Sequence, residues 1–122
     1  MQKVLITAGA SGIGFALAEA FYAEGYKVWV IDISEEDLTK CPKNWEQTKL
    51  DVSDENAMMD LFNEIKNKWG GLDVVCANAG TAGPTELVED QGVSAFKNCL
   101  DVNLIGAFLS VKGCLPCLLY TS

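Results

Sequence analysis

Val4-Leu5-Ile6-Thr7-Ala8-Gly9-Ala10-Ser11-Gly12-Ile13-Gly14 is the stretch from which the rest of the chain is read. Val4 to Thr7 is a short apolar, β-branched run, the pattern of a strand buried on both faces. Beyond the glycines, Ile13, Ala16, Leu17, Ala20 and Phe21 recur at helical spacing. That spacing predicts a helix with this set as its buried face and Gly25 as its stop. Strand, glycine-rich turn and helix together open a βαβ unit. The turn has two readings. It is a plain tight connection, or it brings the backbone close to a diphosphate that faces the free N–H groups of the helix start. The spacing of Gly9, Gly12 and Gly14 is not the general G-x-G-x-x-G fingerprint, so the turn needs support from elsewhere in the chain.

Outward from the turn, strand-like and helix-like segments alternate. Lys27 to Ile31 predicts a second strand and Trp45 to Leu50 a weaker third. Asp54 stands where an N-cap belongs, and Met58, Leu61, Phe62, Ile65 and Trp69 form one stripe of a helix that stops at Gly70-Gly71. Leu72 to Ala77 predicts a fourth strand. After a loop holding Gly80, Gly83 and Pro84, the region from about Val93 to Leu115 reads as one long apolar helix. Its face includes Phe96, Leu100, Leu104, Ala107, Phe108 and Val111. There is no internal repeat, low-complexity tract or linker. The order β-α-β-loop-β-α-β-α is that of an α/β chain, half of a doubly wound parallel sheet covered by helices.

Asp32 supplies the support that the turn needs. It ends the second strand about 20 positions beyond the glycines, where an acidic residue would hold the hydroxyls of an adenosine ribose. Its other reading is a helix or turn cap. A carboxylate at that place repels a ribose 2′-phosphate. Two unit charges about 4 Å apart at an effective dielectric of ~20 cost about 4 kcal/mol. Ile33 follows Asp32 where a compensating base could stand, and the chain has no arginine. The expected cofactor is therefore NAD rather than NADP.

Composition narrows the partners. The 122 residues are 49% hydrophobic and 21% charged, the range of a globular domain, with a net charge of -8. All nine basic residues are lysine. That balance disfavours nucleic acid and anionic membrane surfaces, which need clustered cations. Histidine is absent, so acid–base chemistry needs another side chain, and no metal site is expected. The N-terminus has no signal-like segment and no apolar run reaches about 18 residues, so a cytoplasmic chain that does not enter a membrane is expected. Five cysteines, at 41, 76, 99, 114 and 117, are read as reduced, buried small hydrophobes rather than a disulfide framework.

Four motifs in order resemble the short-chain dehydrogenase/reductase family. Its T-G-x-x-x-G-x-G turn looks like Thr7 to Gly14, with Gly12-Ile13-Gly14 matching. Ala8 takes the first glycine position, and Gly9 is read as a displaced glycine serving the same turn. Leu50-Asp51-Val52 is similar to the segment whose aspartate accepts from the adenine amino group while the next residue contacts the ring. Asp51 could instead cap the following helix, although Ser53 and Asp54 are nearer to that role. Asn78-Ala79-Gly80 matches the triplet that holds the central sheet and lines the cofactor site. Asp101-Val102-Asn103-Leu104 matches the place where an asparagine interrupts the long helix and supports a water linked to a catalytic lysine. Read without that resemblance, Asn103 is a polar residue whose amide must be satisfied.

The resemblance implies a Rossmann-like sheet of about four strands in the order 3-2-1-4. It implies cofactor contacts from Gly9, Ser11, Gly12, Ile13, Gly14, Asp32, Ile33, Asp51, Val52, Asn78, Ala79 and Gly80, with Asn103 in the catalytic system. It further implies NAD(H), a small alcohol or carbonyl substrate, and a homodimeric or homotetrameric full-length parent. The family's serine and Tyr-x-x-x-Lys pair have no counterpart here. Tyr120 follows Asn103 too closely, with no strand between, and is not read as catalytic. Residues 1–116 are therefore expected to be the N-terminal part of an NAD-binding domain, inactive alone, with the fourth strand left as an exposed edge. Residues 117–122 are expected to be a non-native tail, because they can be encoded by TGTCTCTTATACACATCT, which resembles a transposase adapter end. On that reading Cys114-Leu115-Pro116-Cys117 is not a redox pair.

Overall fold

The computed structural model describes residues 1–118. Strands β1 (Lys3–Thr7), β2 (Lys27–Asp32), β3 (Glu46–Lys49) and β4 (Val74–Cys76) form one parallel sheet in the order β3-β2-β1-β4. Val4, Leu5 and Ile6 of β1 and Val28 to Ile31 of β2 are buried, as their unbroken apolar runs predict for central parallel strands. β3 and β4 lie at the edges and are shorter than the runs predicted for them, and every residue of β4 is only half-buried. Leu72 lies outside β4 and makes an isolated parallel bridge to Leu118.

Helix α1 (Gly12–Ala23) follows β1, and Gly25 ends it at φ +89°. Its buried residues are Gly14 and Ala18, whereas Ile13, Ala16 and Ala20 are exposed, against the face predicted for it. The segment GIGFALAEAFYA carries a single charged residue, Glu19, so no polar side marks which face turns inward. The smallest residues settle it by letting the helix lie close to the sheet. Helix α2 (Glu35–Thr39) was not predicted. It is one short turn, N-capped by Ser34 Oγ accepting from Asp37 N–H at 3.2 Å, and only Leu38 is buried in it.

Helix α3 (Glu55–Trp69) meets the expectation in every part. Asp54 caps it by accepting from Ala57 N–H at 3.1 Å. Met58, Leu61, Phe62, Ile65 and Trp69 are buried, and Gly70 closes it at φ +81°. Each such side chain contributes roughly 1.5–3 kcal/mol on burial. They build one of two core clusters with Leu5, Trp29 and Ile31; the other, on the opposite side of the sheet, gathers Val4, Ile6, Val28 and Val30.

The long apolar region is helical from Val93 to Cys117 but not uniform. Helix α4 (Val93–Leu100) passes into a π-helical segment at Asp101–Ile105, then α5 (Gly106–Cys114) and a final 3₁₀ turn at Leu115–Cys117. The face that the spacing predicts is not the buried one. Phe96, Leu100, Leu104, Phe108 and Val111 are exposed, while Gly106, Leu109, Ser110 and Cys114 are buried. Contact is again made through small residues. A Cβ on Gly106 would come within 2.6 Å of Val52 Cγ2, and one on Gly113 within 2.2 Å of the Phe62 ring. The whole run is long and apolar enough on average to cross a membrane by length and composition, although Lys97, Asp101 and Lys112 break it into shorter apolar stretches. Leu109, Cys114 and Cys117 nevertheless pack it into the core of the sheet.

Of the segment 117–122, Cys117 is buried with its Sγ 3.7 Å from Phe62 O, and Leu118 N–H donates to Cys114 O. Tyr120 lies outside the described residues.

Candidate functional site

The glycine turn is built by three different constraints. Ala8 adopts φ +52°, so alanine itself takes the left-handed conformation at the family's first glycine position. Gly9 does not substitute for it, as the sequence suggested. Gly9 is a close-approach position, where a Cβ would lie 2.6 Å from Val30 Cγ1. Gly12 is left-handed at φ +57° with open space around it. Gly14 is crowded instead: a Cβ there would stand 2.1 Å from Ala8 O and 2.7 Å from Asn78 Nδ2.

Ser11 sits at the N-cap of α1 in an extended conformation, with its side chain making no capping bond. The first intrahelical bond runs from Phe15 N–H to Ser11 O. The N–H groups of Gly12, Ile13 and Gly14 therefore precede the helical ladder and face outward with the positive end of the helix dipole, a ready anion cradle. Ile13 flanks it with a 75% exposed side chain.

Asp32 ties this turn to β2. Its Oδ2 accepts from Ala10 N–H at 3.2 Å and its Oδ1 from Ser34 N–H at 3.0 Å, while Gly9 N–H donates to Ile31 O at 3.1 Å. These contacts are those of the turn-cap reading of Asp32. It fixes the turn, and each half-exposed oxygen keeps a further lone pair for a hydroxyl.

A cleft of about 280 Å³ opens beside the carboxylate. Asp32, Ile33, Asp51, Val52, Ala79 and Gly80 all line it, so six of the residues singled out in the sequence meet at one place. Ala8, Leu50 and Val102, which belong to the motifs but were not named as cofactor contacts, also line it, together with Thr81 and Asn98, which the sequence did not single out. Gly9, Ser11, Gly12, Ile13, Gly14, Asn78 and Asn103 do not line this cleft. The first five build the adjoining turn, and the last two brace it.

Asp51 Oδ1 accepts from Ser53 N–H at 2.9 Å and from Ser53 Oγ–H at 2.7 Å. The cap of α3 is Asp54, which leaves the second oxygen of Asp51 without a partner among the described residues. Asn78 joins the ends of β1 and β4. Its N–H and that of Ala79 both donate to Thr7 Oγ1 at 2.9 Å, and its Nδ2 donates to Thr7 O at 3.2 Å and Ala8 O at 3.4 Å. Thr7, 1% exposed, is the hub of this arrangement, yet in sequence it looks like an ordinary strand residue.

Asn103 lies in the π-helical segment, where Gly106 N–H donates to Asp101 O. The helix is interrupted where the motif implies. Its carboxamide is spent on the loop after β4, with Oδ1 accepting from Thr81 N–H at 2.6 Å and Nδ2 donating to Thr81 O at 2.8 Å. The side chain thereby fixes the far wall of the cleft.

The donor set fits a dinucleotide. N–H groups at a helix start suit a diphosphate, a carboxylate suits ribose hydroxyls, and Leu50, Val52 and Val102 offer apolar walls to a flat base. The family of short chain dehydrogenases matches residues 2–122. (+)-Borneol dehydrogenase 1 of Salvia officinalis is 35% identical over 116 residues, covering 91% of this chain and 45% of that protein. The crystal structure of a 3-ketoacyl-ACP reductase from Sinorhizobium meliloti 1021 superposes with a TM-score of 0.86 at 31% identity, over 94% of this chain and 48% of that one. An alcohol dehydrogenase from the archaeon Thermococcus sibiricus, complexed with 5-hydroxy-NADP, superposes with a TM-score of 0.88 at 28% identity, over 96% of this chain and 53% of that one. The chain thus spans about half the length of the relatives it matches. By its sheet order, its glycine turn and these likenesses, the chain belongs to the short chain dehydrogenase family.

Proposed function

We propose that this chain is the N-terminal, cofactor-binding part of an NAD(H)-dependent oxidoreductase acting on an alcohol/carbonyl pair. The observation that carries the reading is Asp32, whose carboxylate closes the cleft directly beside the turn and holds Ala10 N–H. Gly12, Ile13 and Gly14 bind the diphosphate through their N–H groups. Asp32 takes the ribose hydroxyls, Asp51 and Val52 hold the adenine, and Asn78, Ala79 and Gly80 line the path towards the nicotinamide. The bound cofactor supplies hydride transfer at nicotinamide C4. Asn103 serves as a positioning residue through Thr81.

Selection of NAD over NADP rests on charge. A 2′-phosphate would meet the Asp32 carboxylate, and the neighbouring Ile33, 66% exposed, offers no cation in return. The Thermococcus protein is complexed with an NADP derivative, so for this chain the preference for NAD is read from these two positions alone. We further propose that residues 1–116 are the native portion, that the whole enzyme is a cytoplasmic homodimer or homotetramer, and that this chain alone does not turn over.

The test is alcohol oxidation by the chain extended to its relatives' length, compared with the 122-residue chain. The extended enzyme should favour NAD+ over NADP+ in kcat/KM by about 100-fold or more, from the ~4 kcal/mol repulsion discounted for solvent. The short chain should show no turnover. A preference for NADP+, or hydride transfer by the short chain, overturns the respective part.

A further inference from the structure

Helices α3 and α5 do not close fully on each other. A groove of about 240 Å³ lies between them and shares no lining residue with the cleft beside Asp32. Its floor is Met58, Phe62 and Leu109, all buried. Its walls are the exposed Met59 and Pro116, and Gly113 adds no side chain to them. A dry apolar cavity of roughly 150 Å³ holds a benzene ring, so this groove has room for an alkyl chain. The methionines suit one, because their flexible, polarisable side chains adapt to a ligand of changing shape.

The charges at the rim are not evenly placed. Glu55, Met59, Asn63 and Lys66 follow one another at helical spacing along the edge of α3 and all line the groove. Asp60 and Glu64 lie further round the helix and do not line it. At one end Lys112 Nζ stands 3.4 Å from Glu55 Oε2, so these two charges offset each other. About 16 Å along α3, at the other end, Lys66 pairs with no carboxylate among the described residues. Its ammonium and the Asn63 carboxamide both offer N–H donors there. An apolar slot with convergent donors at one end is matched by a ligand with an apolar chain and an anionic head.

We propose that the groove between α3 and α5 binds a medium-chain alkyl carboxylate, its chain over Met58 and Leu109 and its head at Lys66 and Asn63. The site is separate from the cofactor cleft and does not depend on that reading.

The experiment is calorimetric titration of the full-length protein with sodium decanoate below its micellar range. One saturable site per chain should appear. Decanoate should bind about fourfold or more tightly than octanoate, because each further buried methylene adds to the transfer term. Decylammonium should bind about threefold or more weakly than decanoate, the scale of an exposed charge contact. Lys66→Gln should weaken decanoate about three- to fivefold and leave 1-octanol unchanged. Met59→Glu, which sets a carboxylate at the mouth, should weaken decanoate about fivefold. Both side chains are exposed, so the thermal midpoint should stay as in the wild type. NADH titrations with and without decanoate should coincide. The inference is overturned if decanoate gives no saturable binding, as when the rest of the full-length chain or a second copy covers the groove. Equal binding of decanoate and decylammonium, or displacement of decanoate by NADH, overturns it as well.

Discussion

Ala8 holds φ +52° in a turn where a glycine would do so without steric cost. Left-handed backbone costs a non-glycine residue of order 1 kcal/mol, partly offset because alanine loses less freedom on folding. Ala8→Gly should therefore stabilise the protein by about 0.5–1 kcal/mol, read as a higher denaturant midpoint with an unchanged slope. Gly14→Ala is the opposite case, because its Cβ would stand 2.1 Å from a backbone oxygen that cannot yield. That substitution should abolish NADH binding or folding, as shown by titration together with circular dichroism. The motif was plain in the sequence, but the division of labour within it was not. Spacing marks where glycines are; only the backbone shows that Gly9 answers to Val30, Gly12 to its own φ and Gly14 to Ala8. Thr7 was missed because it looks ordinary until the chain brings Asn78 beside it.

At the scale of elements, α3 was fully legible because its polar and apolar residues alternate cleanly around the helix. α1 and the Val93–Cys117 run were legible as helices but not by face. When nearly every residue is apolar, periodicity loses its contrast, and small residues that permit close approach decide the docking instead. α2 is too short for any period to show. The π-helical interruption has a measurable consequence. Asn103 spans the gap to Thr81 with two hydrogen bonds, so Asn103→Leu leaves the Thr81 N–H and carbonyl without those partners. Residues 79–83 should then exchange amide hydrogens at least tenfold faster while α3 is unaffected, at a cost of about 1–3 kcal/mol. Unchanged exchange would show that the clamp does not hold the loop.

Across the whole molecule, two features govern behaviour in solution. The exposed stripe of Phe96, Leu104, Phe108, Val111 and Leu115 and the half-buried edge strand β4 favour self-association. The 122-residue chain should sediment with a weight-average mass that rises with concentration, whereas a concentration-independent monomer with cooperative unfolding would contradict this. Of the five cysteines, Cys41, Cys114 and Cys117 are buried as expected, whereas Cys76 and Cys99 are half-buried. Burial pushes the thiols of Cys41, Cys76, Cys114 and Cys117 up from the ordinary value of 9.0, with Asp32 and Asp37 adding to the effect at Cys41. A raised acid stays protonated in the folded chain while the unfolded chain ionises first. This contribution to stability is therefore complete below pH 9 and lost as pH rises beyond it. Iodoacetamide at pH 8 should accordingly modify these four thiols more slowly in the folded protein than in urea.

On the proposed function, the turn from Ala8 to Gly14 and the carboxylate of Asp32 form one dinucleotide site. Calorimetric titration of the chain, extended to its relatives' length, with NADH tests it most directly, wild type against Asp32→Ala. One site per chain should be seen in the wild type. It should weaken about 10- to 100-fold in the variant, the scale of a hydrogen bond to a charged group, with NADPH gaining relative to NADH. A folded wild-type protein that gives no binding heat at millimolar NADH would contradict the account.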